Sequence, residues 1–273
     1  MTLATTSVMS NNTSDTNETK NTSVSAKTDS FPGVKEDKVS YELDGKKYDG
    51  YVFYKDDQKG KRPGILVVHE WWGLNDYSRR RAKQLAEMGY IAMAVDVYGN
   101  GQTAEDPASA EALATPFYKD PALAKKRLDA AINFLKTYPE TDSSKMAAIG
   151  YCFGGYVALN AAKLGADLKG VVSFHGGLTG AKPQKNVMHA KILVCHGAND
   201  QLENAHVEEF KKEMDSAGAD YTFKVYPDAS HAYSNPAATA KGEKYNMPIK
   251  YNAAADAASW NDMKEFFKTL FHD

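Results

Sequence analysis

Short apolar runs alternate with segments of helical periodicity along most of the chain. Near-continuous Val, Ile, Leu and Ala runs or alternating patterns predict strands over 39–43, 48–54, 65–69, 91–95, 146–150, 170–175, 192–196 and 221–226. Apolar positions recurring every three or four residues predict helices over 76–88, 123–138, 153–164, 205–217 and 253–271. The first two strands flank Asp44-Gly45, a dipeptide suited to the left-handed backbone of a tight hairpin. The later strands lack the apolar-polar alternation of a half-solvated sheet, so they belong to a parallel sheet covered on both faces. An antiparallel start followed by β/α repeats predicts one α/β domain with a mostly parallel central sheet of about eight strands flanked by helices.

Residues 1–30 read differently, with 18 Ser, Thr or Asn and no aromatic residue. So little apolar surface cannot offset the entropy of ordering, which predicts a flexible Ser/Thr/Asn-rich tail over 1–35 and a catalytic domain over 36–273. The Asn-x-Ser/Thr matches at Asn12, Asn17 and Asn21 follow from that composition, since no secretory signal precedes them. Lys and Arg total 33 against 35 Asp and Glu, a balance that argues against a dedicated nucleic-acid or anionic-membrane binder. No apolar run approaches the roughly 20 residues of a membrane span. Two cysteines are too few for a disulfide scaffold and suit a reducing compartment, so the expectation is a cytoplasmic protein, monomer or homodimer.

In an open α/β sheet, ligands bind beyond the carboxyl ends of the strands, so the residues following each apolar run carry the information. The fifth run leads into Gly150-Tyr151-Cys152-Phe153-Gly154-Gly155 and then a helical pattern. That is the strand, sharp turn and helix of a nucleophile elbow, with cysteine in the place of the more common serine. Two later strand ends supply Asp200, in His196-Gly197-Ala198-Asn199-Asp200, and His231, in Ser230-His231. Nucleophile, acid and histidine thus occur in the chain order this architecture uses. A thiol is mostly protonated at neutral pH, so His231 would accept its proton while Asp200 holds the imidazole tautomer. Backbone N–H groups of Phe153 and of Trp71, in the loop after the third strand, would stabilise an oxyanion. Glu70, at the end of that strand, is an acid whose burial requires a partner.

These segments resemble the dienelactone hydrolase family of the α/β-hydrolase superfamily. The matching pieces are His69-Glu70-Trp71-Trp72-Gly73, Asp96-Val97-Tyr98-Gly99, the Cys152 elbow, Phe174-His175-Gly176-Gly177, His196 to Asp200, and Ser230-His231, spanning about residues 36–272. The resemblance implies an α/β-hydrolase fold, a Cys152-His231-Asp200 triad and a cofactor-independent hydrolase of carboxylic esters or lactones. It also assigns Glu70 to activation of the cysteine. Where the founding members hold a substrate carboxylate with two arginines, this chain reads Asn100 and Asn235, so the bidentate charged clamp is lost. Trp71, Trp72, Tyr98, Phe117, Tyr118 and Tyr233 would then line an apolar or aromatic pocket.

Other readings compete. The same nucleophile could serve an activated phosphate triester or a thioester, and a silent ligand-binding module would keep the pocket but leave Cys152 unreactive. Redox sensing by Cys152 lacks a resolving cysteine, because Cys195 falls inside an apolar strand. His69, His175 and His196 show no metal-ligand spacing and read as structural, so no metal or cofactor is expected.

Overall fold

The computed structural model describes residues 30–272. The tail predicted over 1–35 therefore lies almost wholly outside the described residues, although β1 already begins at Val34, ahead of the expected boundary at 36.

Among the described residues eight strands form one sheet: β1 (Val34–Leu43), β2 (Lys46–Lys55), β3 (Arg62–Val68), β4 (Ile91–Val95), β5 (Thr141–Tyr151), β6 (Gly170–Phe174), β7 (Lys191–Gly197) and β8 (Tyr221–Tyr226). Their order is β1-β2-β4-β3-β5-β6-β7-β8. β2 runs antiparallel to β1 and β4, and every later pairing is parallel. The β1–β2 turn places Asp44 and Gly45 at φ 53° and 69°, as the hairpin dipeptide predicts.

Seven α-helices among the described residues cover the sheet: α1 (Asp76–Glu87), α2 (Pro107–Lys119), α3 (Pro121–Lys136), α4 (Phe153–Lys163), α5 (Val207–Ala217), α6 (Ala238–Tyr245) and α7 (Ala253–His272). Successive residues of the central strands face opposite layers. Leu66 and Val68 of β3 pack with Ala114, Leu128, Ala158 and Phe210 from α2, α3, α4 and α5. Ile65 and Val67 pack with Ala82 and Leu85 of α1 and with Met263 and Phe267 of α7. Burial on both faces explains why these strands read as unbroken apolar runs.

The pattern did not predict α2 and α6. In α2 the buried positions are Ala110, Ala114 and Phe117, which give little contrast in hydrophobicity, and Pro116 interrupts the run. The legible signal was its start, where Asp106 accepts the Ser109 N–H as N-cap and Pro107 follows at the first helical position. Helix α6 is eight residues long and contains Gly242, which must be glycine because a Cβ would lie 2.3 Å from the Ile249 carbonyl oxygen.

Candidate active site

The carboxyl ends of β3, β5, β6 and β7 and the loop after β8 converge on Cys152. It precedes α4 at φ 53° and ψ −117°, a conformation that costs a non-glycine residue energy and persists because its surroundings impose it. The glycines around it show why. A Cβ on Gly150 would lie 2.0 Å from the Gly154 oxygen, and one on Gly154 would lie 2.3 Å from the Val68 oxygen. Strand, elbow and helix are packed backbone to backbone, so the thiol is lifted out of the sheet while its main chain is pinned.

The three predicted residues meet. His231 Nε2 lies 3.0 Å from Cys152 Sγ, and His231 Nδ1 lies 2.9 Å from Asp200 Oδ2. Asp200 is fully buried, and its other oxygen accepts the N–H groups of Leu202 and Glu203 at 3.0 and 3.2 Å. Burial alone would raise the Asp200 pKa, but the hydrogen bond and charge of His231 and the backbone donor hold it below the usual range. Burial likewise opposes a charged His231 ring, yet the Cys152 sulfur and the Asp200 carboxylate outweigh it and raise its pKa well above the ordinary histidine value. The site thus favours an imidazolium between two acceptors. The other cysteine, Cys195, is buried in β7, where desolvation pushes its thiol to about 12.

Cys152 opens into a cavity of about 280 Å³ whose walls include Glu70, Trp71, Trp72, Tyr118, Phe153, Tyr156, His231 and Asn235. Phe153 is the first residue of α4, so its N–H is among those that a helix leaves without an internal acceptor. Trp71 lies in the loop after β3, which Tyr98 braces by donating its hydroxyl to the Trp71 carbonyl at 2.9 Å. Glu70 is 2% exposed, and its Oε2 accepts from Asn235 Nδ2 at 2.6 Å. Desolvation raises the Glu70 pKa, only partly countered by Asn235, Lys241 and His231.

Four residues expected in the pocket are elsewhere. Asn100 is in an exposed turn at φ 57°, its N–H bound to the Lys47 oxygen at 2.8 Å. The turn winds around the buried Asp96 carboxylate, which accepts the N–H groups of Tyr98, Gly99 and Gly101, and Asn100 is not among the residues that line the cavity. Tyr98 stands behind the wall against His69 and Phe153. Tyr233 is fully buried beneath His175 and donates to the Cys195 carbonyl at 3.2 Å. Phe117 also backs the wall, 5.2 Å from the Phe153 ring. Trp72, Tyr118 and Asn235 do line the cavity, although the Asn235 amide is bonded to Glu70.

His175 has more to do than a filler histidine. Its Nδ1 shares the Cys152 N–H, at 3.1 Å, with the Phe174 oxygen at 3.0 Å, and a neutral ring that accepts there carries its proton on Nε2, which faces Ser234 Oγ at 2.7 Å. Ser234 is tied in turn to Tyr77 and to Arg81, which pairs with Asp256. Burial and the nearby His231 charge hold the His175 pKa well below its ordinary value, so a neutral histidine backs Cys152. His69, by contrast, accepts the Val97 N–H and bonds the Glu70 carbonyl, and His196 bonds Asn204, both structural links. Among the described residues no group of three or more His, Cys, Asp or Glu side chains is placed to hold a metal ion. No described helix is long and apolar enough to cross a membrane.

The dienelactone hydrolase family model matches residues 48–271. The chain belongs to the dienelactone hydrolase family. A dienelactone hydrolase-like promiscuous phosphotriesterase, P91, from metagenomic libraries is 34% identical, with 87% of this chain and 99% of that chain covered and a TM-score of 0.82. Protein usf of Aquifex pyrophilus is 29% identical over 84% of this chain and 96% of its own length. A protein of Aquifex aeolicus, provisionally named a carboxymethylenebutenolidase, is 28% identical over 85% of this chain and 97% of its own. For this dienelactone hydrolase family member, the mostly parallel eight-stranded sheet and its helices are the α/β-hydrolase fold.

Proposed function

We propose that this protein is a hydrolase of carboxylic esters or lactones that works through a thioester at Cys152. The observation that carries the reading is the continuous chain from Cys152 Sγ through His231 to Asp200, ending at a largely apolar cavity. The Cys152 proton passes to His231 Nε2, and the resulting imidazolium is held by Asp200. The thiolate attacks the substrate carbonyl, whose oxygen becomes an oxyanion bound by the N–H groups of Phe153 and Trp71. Collapse breaks the carbon–oxygen bond, and His231 gives its proton to the departing alkoxide. A water then loses a proton to His231 and attacks the thioester, releasing the acid and restoring the thiol. Glu70 supplies a negative charge beside this sequence, and its proximity to His231 favours the imidazolium.

The likeness to P91, whose name records phosphotriesterase activity, supports a second use of the same site. The Cys152 sulfur would attack phosphorus and the same donors would hold the phosphoryl oxygen.

Initial rates on aryl esters, a lactone, dienelactone and an aryl phosphotriester test the reading, with Cys152→Ala as control. Turnover is expected to fall by at least about a thousandfold in the variant, because nucleophile and base act as one unit. Mass spectrometry of the quenched enzyme is expected to find the acyl group on the peptide carrying Cys152. Undiminished turnover by Cys152→Ala, or a Cys152 inert to alkylation at neutral pH, would overturn it.

A further inference from the structure

Two charged side chains in the cavity wall, Lys241 and Glu203, have no part in the chemistry above. Lys241 is balanced where it stands, with Nζ 3.7 Å from the centre of the Trp72 ring and its charge set against that of Glu70. Glu203 is not. Its Oε2 accepts the Leu178 N–H at 2.9 Å, while among the described residues no donor reaches Oε1 and no Lys or Arg nitrogen lies within 4 Å of the carboxylate. Its nearest charged influences are His231, Asp200 and His206, and burial raises its pKa. A half-buried carboxylate in an apolar wall is costly unless something compensates it.

Aromatic rings share that side of the cavity. Tyr118 packs edge-on against Tyr156 at 4.9 Å and against Phe153 at 5.9 Å, and its phenol lies within the fields of both Cys152 and Glu203. Tyr118 is 47% exposed and lines the cavity. A carboxylate together with aromatic surface is the combination that attracts an alkylammonium, by charge and by the ring quadrupoles. Lys241 projects from α6 and Glu203 from the loop after β7, so the two charges belong to different walls.

We propose that Glu203 and the ring of Tyr118, backed by the buried Tyr156, form a cation subsite beside Cys152, and that the enzyme prefers esters bearing a tertiary or quaternary ammonium group over neutral esters of the same shape. The subsite holds the part of the ester on the α4 and β7 side of the thiol, leaving the Trp72 and Lys241 side for the other part. This rests on the ester-hydrolase reading of Cys152.

Two matched pairs of probes test it with the full-length protein. One pair is acetylcholine and 3,3-dimethylbutyl acetate, which differ on the alcohol side. The other is a pair of 4-nitrophenyl esters whose acyl chains end in trimethylammonium or tert-butyl. In at least one pair the cationic ester is expected to have a kcat/KM about tenfold higher. That ratio should fall to near one in Glu203→Gln, whose amide oxygen can still accept the Leu178 N–H, and should drop severalfold in Tyr118→Leu, at an exposed position. Turnover of both members without cation preference, or a preference that survives Glu203→Gln, overturns the subsite while leaving the hydrolase reading intact. No turnover of any of the four esters overturns both.

Discussion

Glu70 shows how a single residue is held against its own preference. It is buried, desolvation raises its pKa, and Asn235 satisfies only one of its oxygens. A carboxylate whose folded pKa is raised favours the protonated form in the fold, so the stability it contributes declines as pH climbs through that range. Glu70→Gln keeps an acceptor for Asn235 and removes the charge. The variant is expected to unfold at a higher temperature than the parent at neutral pH, yet to lose about tenfold or more in kcat/KM, with the acid limb of its pH–rate profile altered. Calorimetry and initial rates across pH check both halves, and equal activity with an unchanged profile would remove Glu70 from the chemistry. Legibility at this scale was uneven. Cys152, Asp200 and His231 could be read from the chain because each follows an apolar strand in the expected order. His175 was read as structural, because nothing local reveals that its Nδ1 will meet the Cys152 N–H. Glu203 was missed altogether, three residues beyond Asp200, since a surface-like Leu-Glu-Asn gives no sign that one carboxylate turns into a cavity.

At the scale of elements, the elbow is a contact between three pieces of backbone. The close approach of β5, α4 and β3 leaves no room for a methyl group at Gly150 or Gly154, and the neighbouring atoms are main chain that cannot step aside. Gly150→Ala is therefore expected to cost about 3 kcal/mol or more of stability, read as a lowered urea midpoint, and to displace Cys152 from His231. A variant of parental stability and activity would mean that the elbow is looser than its distances indicate. The pattern of apolar residues located this element to within a residue or two. It failed for α2 and α6, where alanine and glycine stand in for large apolar side chains and periodicity loses contrast. The family resemblance put Asn100, and the supply of aromatic residues Tyr98, in the pocket, whereas the buried Asp96 carboxylate gathers the N–H groups of the turn after β4 inward.

Across the whole molecule, one buried charge outside the site sets a pH dependence of stability. Lys163, in the last turn of α4, is 1% exposed, with Nζ 3.4 Å from the Leu178 oxygen and 5.0 Å from the Phe210 ring centre. Burial pulls its pKa down to about 8, with Glu213 acting weakly the other way. Between pH 8 and the ordinary lysine value the unfolded chain binds the proton that the fold has released, so stability from this group rises over that window and is lowest below it. Lys163→Met is expected to be more stable than the parent at pH 7 by about 1–3 kcal/mol, with the advantage shrinking as pH passes from 8 to above 10. Urea unfolding at several pH values checks it, and a constant difference across that window would count against the buried charge. The sequence by itself determined the α/β architecture and singled out Cys152, His231 and Asp200, the three residues that meet at the elbow, because burial periodicity and strand-end position are properties of the chain that survive without coordinates. Only the tertiary structure decided which acids, amides and rings share the cavity. Such neighbours come from loops after different strands, and their meeting depends on where buried groups such as Asp96 and Asp200 find their hydrogen bonds.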